Sequence, residues 1–297
     1  MISSARFAPR HALVFVWLAL LLAACAPGAT RTGDIALTAT PQIGKFVWHD
    51  LVTDDVGDAK RFYSGLFGWT FENARGPAGG SYTLVLADGI YIGGMVPLED
   101  PANADYSRWL GYLSVPDVDA AVSATEAAGG AGVVAPLDIG TIGRAAAVQD
   151  PQGAVVGLLR SAIGDPDDAM GPAAGRVLWN ELVAADADAA ASFYGELVGY
   201  RANPVQRNGG RYTFLEQAGK PRAGVLQRPD DNIQPLWLTY FAIGDVQAAS
   251  RRAAQLGGKV LLAPDATLRN GTMAVIEDPT GAVFALQQLD ERRNPAQ

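Results

Sequence analysis

Alternating and helix-spaced hydrophobic stretches follow one another in a fixed order along most of the chain. Residues 46–52, Phe-Val-Trp-His-Asp-Leu-Val, alternate and are rich in aromatic and β-branched side chains, which predicts a strand. Between Asp54 and Phe67, Ala59, Phe62, Tyr63 and Leu66 form one apolar stripe at helical spacing. Asp54 or Asp55 can cap that helix, and Gly68 can end it. Three short strands are predicted next, at Thr70–Glu72, Tyr82–Ala87 and Ile92–Val96. The order then starts again. Leu110–Val115 reads as a strand, Val118–Ala128 as a helix ended by Gly129-Gly130, and Val133–Ala135, Ala145–Val148 and Val155–Leu159 as strands. Asp150-Pro151-Gln152-Gly153 makes a tight turn between the last two, its glycine supplying a positive φ.

The second half of the chain rewrites the first. Trp48, Leu51, Asp55, Phe62, Tyr63 and Gly68 return as Trp179, Leu182, Asp186, Phe193, Tyr194 and Gly199, each 131 residues later. Trp109, Asp117, Pro136, Asp150, Pro151 and Gly153 return as Trp237, Asp245, Pro264, Asp278, Pro279 and Gly281, each 128 later. A three-residue deletion between the two blocks reconciles the offsets, and matches in two constant registers do not arise by chance. The expected layout is a domain over 44–160, a linker over 161–175 and a second domain over 176–290. Gly164-Asp165-Pro166 and Gly171-Pro172 mark the linker. The 297 residues suit two domains of ordinary size.

The first 24 residues have a different character. Arg6 and Arg10 precede an apolar run from Ala12 to Ala24, too short for a permanent membrane anchor and right for a signal peptide. The run ends in Leu22-Ala23-Ala24-Cys25, which resembles a bacterial lipobox whose cysteine is acylated and becomes the mature N-terminus. Cys25 is the only cysteine of the chain, so no disulfide within it explains the thiol. The competing reading is an ordinary signal peptide, or an uncleaved anchor, with an incidental cysteine. Ala26 follows the cysteine where an aspartate would resemble an inner-membrane retention signal. The expected place is therefore the bacterial cell envelope, with the outer membrane facing the periplasm compatible. Residues 25–43 read as a flexible tether rich in Ala, Thr, Gly and Pro. Cleavage removes Arg6 and Arg10 and leaves 21 basic and 31 acidic side chains, a net of −10, which repels nucleic acid and anionic lipid.

Taken together, Trp48-His49-Asp50-Leu51 with Phe62-Tyr63 and Gly68, Asp117-Val118-Asp119-Ala120-Ala121, and Asp150-Pro151-Gln152-Gly153 resemble the vicinal oxygen chelate superfamily. That superfamily includes glyoxalase I, extradiol dioxygenases and bleomycin resistance proteins. The second copy offers Trp179-Asn180-Glu181-Leu182 with Phe193-Tyr194, Asp245-Val246 and Asp278-Pro279-Thr280-Gly281. The resemblance covers nearly all of residues 45–289. It implies an α+β fold of two tandem domains, each a pair of βαβββ units curled into a U-shaped, partly open eight-stranded barrel with its ligand in the concave face.

Most enzymes of the superfamily hold a divalent metal there, on His or Glu from each first strand and Glu from a last strand. Those positions fall on Trp48, Trp179, Leu110, Leu238, Gly157 and Ala285, none of which offers a suitable donor. After cleavage the single histidine is His49, which strand alternation turns away from Trp48 and Asp50. The expectation is no metal and no cofactor. The same alternation points Trp48 and Asp50, and Trp179 and Glu181, into the troughs, joined by Tyr112 and Ser114 or by Tyr240, with Met95 on the floor. An aromatic wall with a few polar tips is how small-molecule sites are built. The indoles could equally plug the barrel mouths. A carboxylate desolvated beside an indole has its pKa raised and can act as acid or base, so Asp50 and Glu181 are the catalytic candidates. Arg144 could pair Asp50 or a ligand, or lie on the surface. Phe62-Tyr63 and Phe193-Tyr194 are expected to pack on the helix-facing side without chemistry.

Three functions compete. The first is a lipid-anchored module capturing a small aromatic or hydrophobic molecule without metal. The second is an enzyme of the glyoxalase or dioxygenase type (lyase, isomerase or ring-cleaving), or a metal-free one using Asp50 or Glu181. The third is a scaffold whose copies have lost their ligand.

Overall fold

A computed structural model describes residues 35–76, 80–98, 107–207 and 210–289. The first domain runs β2 Phe46–Thr53, α1 Val56–Phe67, β3 Thr70–Arg75, β4 Ser81–Ala87 and β5 Ile90–Pro97, after a short β1 Leu37–Thr38. It continues with β6 Arg108–Ser114, α2 Val118–Ala127, β7 Ala131–Ile139, β8 Gly143–Gln149 and β9 Val155–Ser161. A short β10, Asp165–Pro166, leads to the second domain. There the order returns as β11 Val177–Ala184, α3 Ala187–Val198, β12 Arg201–Arg207, β13 Gly210–Gln217 and β14 Lys220–Gln227. The last unit is β15 Leu236–Ile243, α4 Val246–Gln255, β16 Lys259–Leu262, β17 Met273–Glu277 and β18 Val283–Gln288.

Each domain is one sheet of eight strands, ordered β3-β4-β5-β2-β6-β9-β8-β7 and β12-β13-β14-β11-β15-β18-β17-β16. The two units of a domain meet through an antiparallel central pair, β2 with β6 and β11 with β15. The outer strands stay apart, so each sheet curls into an open trough and not a closed barrel. Every residue of β2 is buried, because helices cover one face and the trough's own side chains the other. The helices begin where the aspartates stand. Asp55, Asp117, Asp186 and Asp245 each accept a backbone N–H of the first turn, and Gly68 and Gly199 end α1 and α3 at φ 74°.

The helix-facing surfaces of the two domains pack on each other across a pseudo-twofold axis. Leu113, Val122 and Val148 of the first domain share a core with Leu182, Tyr194 and Trp237 of the second. Leu51, Phe62 and Trp109 share another with Phe241, Ile276 and Phe284. Tyr63 donates to Asp278 Oδ2 (2.9 Å) and accepts from Trp109 Nε1 (2.8 Å). The partner network is Tyr194 to Asp150 Oδ2 (3.1 Å), with Trp237 Nε1 donating to Tyr194 (2.8 Å). Each aspartate also accepts backbone N–H groups of its own turn through Oδ1. The repeated Phe-Tyr, Trp and Asp-Pro-x-Gly motifs are thus the parts that bolt one domain to the other. On the axis itself His49 Nε2 meets Asn180 Oδ1 at 3.0 Å, the two residues occupying equivalent positions of the repeat.

Residues 1–34, with the expected signal peptide and Cys25, lie outside the described residues. The expectation of a flexible tether to residue 43 needs correction at its end. Leu37–Thr38 pairs with Asp165–Pro166, and Gln42 N–H donates to the Asp165 carboxylate at 2.6 Å. Asp165 is fully buried, and a buried carboxylate demands donors, of which this stretch supplies one and Ser114 another, both to Oδ2.

Candidate functional site

The two troughs are built alike and finished differently. In the first, β2 presents Trp48 and Asp50 to the concave side, and β6 sets Tyr112 opposite Trp48. Asp50 Oδ1 accepts from Trp48 Nε1 (2.9 Å) and from the Tyr82 hydroxyl (2.7 Å). Asp50 Oδ2 and the Tyr112 hydroxyl are both buried without a hydrogen-bond partner. Burial pushes the Asp50 carboxyl up to about 6, against the smaller opposing pull of the Tyr82, Trp48 and Tyr112 groups. Leu84, Leu110, Ile139, Ile142 and Leu159 are buried around this group, and Trp48 is buried in the same cluster.

In the second trough, Trp179 stands opposite Tyr240. Glu181 is buried; its Oε1 accepts from the Tyr240 hydroxyl and its Oε2 from Arg269, both at 2.5 Å. The Arg269 guanidinium lies 5.0 Å from the Tyr240 ring centre and 6.0 Å from that of Tyr212. Trp179 Nε1 donates to the Tyr212 hydroxyl at 2.8 Å, and Phe214 stands edge-on to both Trp179 and Tyr212. The exposed Arg207 lies over Tyr212 and Phe214 at 4.3 and 4.9 Å. Fewer residues close this trough. Trp179, Phe214, Leu236 and Leu268 are half-buried, and Leu262 on the outermost strand is exposed. Arg269 and Asn270 both sit at left-handed φ, 47° and 54°. Such residues cost on the order of 1–3 kcal/mol each and persist where surroundings over-determine them, often at functional sites.

The structure brings Trp48, Asp50 and Tyr112 together, and Trp179, Glu181 and Tyr240. It corrects the placing of two residues. Met95 is not on a trough floor: it pairs with Leu51, which puts it in the helix-facing core. Ser114 shares the Tyr112 face, but its hydroxyl donates to Asp165 at 2.7 Å and is not available to a ligand. Arg144 pairs Asp119 and Asp138 on the surface and does not reach Asp50. His49 lies on the helix-facing side, and burial lowers its pKa to about 4.

Sequence reasoning missed Tyr82, Tyr212 and Arg269. One signal was available. Tyr82 and Gly94 return as Tyr212 and Gly224, both 130 residues later, between the two offsets of the repeat. A Cβ at Gly94 would lie 1.9 Å from the Tyr82 hydroxyl, and one at Gly224 would lie 1.8 Å from that of Tyr212. Only glycine leaves room for the phenol to cross the neighbouring strand. Gly157 does the same for Tyr112, whose ring would lie 2.2 Å from an added Cβ.

A family model described as the Glyoxalase/Bleomycin resistance protein/Dioxygenase superfamily matches residues 42–158, and one described as a Glyoxalase-like domain matches residues 179–287. The chain is 33% identical over 244 residues to CFP32 of Mycobacterium tuberculosis, provisionally named a glyoxylase, covering 80% of this chain and 92% of that one. The chain belongs to the glyoxalase/bleomycin resistance protein/dioxygenase superfamily. It is also 31% identical over 261 residues to the anthracycline biosynthesis protein DauV of a Streptomyces species, covering 84% of this chain and 94% of that one. Among solved structures, the Mn(II)-bound glyoxalase of Novosphingobium aromaticivorans superposes with a TM-score of 0.53 at 15% identity, over 84% of this chain and 82% of that one. That likeness concerns the superfamily fold.

The residues of this superfamily member do not fit the divalent metal that its fold implies. Around Asp50 stand an indole N–H and two phenols, and Glu181 already faces a guanidinium. A glutamate at position 157 would collide with Tyr112. Among the described residues no three His, Cys, Asp or Glu side chains gather as ligands.

Proposed function

We propose that this superfamily member is an exported, lipid-anchored binding protein that captures a small planar aromatic molecule in its second trough without a metal. The carrying observation is an aromatic wall in which Trp179 and Phe214 are half-buried and Tyr212 and Tyr240 are buried behind them, with Arg207 and Arg269 beside it. Ring faces stack on a flat ligand, and the two guanidiniums favour an acidic oxygen on it, such as a phenolate or carboxylate. The likeness to an anthracycline biosynthesis protein supports a fused-ring ligand. In the first trough the equivalent indole, Trp48, is buried.

The probe is anthraquinone-2-carboxylate, titrated into the mature protein in the presence of EDTA with tryptophan fluorescence as readout. Phe214→Ala is expected to weaken binding about tenfold by removing one stacking face. Equal affinity of the variant and the parent, or loss of binding on chelation, would sink the reading. The anchor has its own test. Cys25→Ser should shift the protein from the membrane fraction to the soluble periplasmic fraction, and retention on membranes would count against acylation.

A second reading, acid–base chemistry in the first trough, draws on one observation. Asp50 is buried with a raised pKa and a free Oδ2 facing the unpaired Tyr112 hydroxyl.

A further inference from the structure

A cleft of about 360 Å³ lies outside both troughs, on the pseudo-twofold axis between the domains. Residues 45–49 line one side and their repeat equivalents 176–180 line the other. Its floor is the His49–Asn180 contact, and the burial that lowers the His49 pKa keeps this ring neutral near pH 7. Ile90 and Ile92 continue one wall, and Met170 and Pro172 of the linker close the cleft from above. A volume of this size accommodates a small organic molecule.

The charges of the cleft are not symmetric. Lys45 and Arg176 are equivalent in the repeat and flank the cleft. There is one linker for two cations. It gives Lys45 the Asp168 carboxylate at 2.8 Å and the Pro166 carbonyl at 2.6 Å. Asp168 also takes Lys220 and Arg222, at 2.8 and 2.7 Å. Arg176 receives nothing: its Nε is buried without a partner, and among the described residues no side-chain hydrogen bond or ion pair reaches its guanidinium. Its backbone is fixed, with Arg176 C=O accepting from Ala242 N–H (2.9 Å) and its N–H donating to Ala173 (3.2 Å). The backbone is therefore held while the charged head is left without a counter-charge within ion-pair distance among the described residues. A partly desolvated guanidinium without a counter-charge is costly, and an anion seated there would relieve that cost.

We infer that this interdomain cleft is a second binding site, for a small aliphatic carboxylate whose anionic group pairs with Arg176 and whose chain lies against Ile90, Ile92 and Met170. The site is distinct from the aromatic trough, although Trp48 and Trp179 border both.

The test is calorimetric titration of the mature protein with decanoate, and with 1-decanol as the uncharged counterpart. Decanoate is expected to bind at one site and decanol at least tenfold more weakly. Arg176→Gln should weaken decanoate at least tenfold. Arg176→Lys, which keeps the charge and tests the site should the glutamine variant fold poorly, should stay within a few-fold of the parent. Phe214→Ala, in the trough, should leave decanoate unchanged. No binding of decanoate, equal binding of decanol, an unchanged Arg176→Gln or a loss of decanoate in Phe214→Ala would each overturn the cleft site. None of these results touches anthraquinone binding, whose failure would be read separately.

Discussion

Arg269→Met is expected to lower stability at pH 7 by about 3 kcal/mol, the lower end of the cost of breaking a buried ion pair. Glu181 retains 1% of its side-chain surface in water and Arg269 retains 24%, so the carboxylate left behind is the more costly partner. The Tyr240 hydroxyl would still donate to Glu181, but a single phenol does not replace a guanidinium. One further outcome follows from the same physics. The double variant Glu181→Gln with Arg269→Met should recover most of the loss. Chemical denaturation of the parent and the two variants at pH 7 checks both outcomes. A deficit below about 0.5 kcal/mol, the level of an exposed pair, would mean that water reaches Glu181.

Asp50→Asn should have the opposite sign. The native chain holds the Asp50 proton up to about pH 6, whereas the unfolded chain releases it near the ordinary carboxyl value of 3.8. Between those values the folded state binds more protons, so Asp50 favours folding at low pH and loses that contribution as pH rises. The amide cannot ionise. It keeps an oxygen to accept from Trp48 and Tyr82, and it offers an N–H toward the unpaired Tyr112 hydroxyl. The variant should be more stable than the parent above pH 6, by about 1–3 kcal/mol at pH 7.5, with the gap closing toward pH 4. Thermal unfolding across that range checks it, and a pH-independent difference would show that Asp50 does not titrate in the window. The same variant separates the two functional readings. A binding protein keeps its anthraquinone affinity in Asp50→Asn, whereas chemistry at Asp50 would show as turnover of a bound compound that this variant abolishes.

Much of this was legible in the letters. Period-two alternation put Trp48, Asp50, Trp179 and Glu181 on the concave face, and the two βαβββ units per domain could be read from the order of patterns alone. What failed is what needs register between strands. Met95 sits on a strand whose own alternation has no absolute phase; its pairing with Leu51 fixes the face. Tyr82 and Tyr212 enter the site by crossing over a glycine of the next strand, which no single segment reveals. Arg269 comes from an irregular connection held in left-handed backbone, where no periodicity exists to be read. The Phe-Tyr motifs could be read as packing residues from their helical spacing, yet the aspartate partners of their tyrosines lie 215 and 44 residues away in the other domain.

Those tyrosine–aspartate bolts bear on how such a chain could have arisen. Each half carries one phenol and one carboxylate that find their match only in the other half, beside a large apolar face. A polypeptide of half this length would carry the full complementary set and could satisfy it by embracing its own twin. Fusion of two such genes would then change little in the architecture, while freeing each half to accumulate changes the other need not copy.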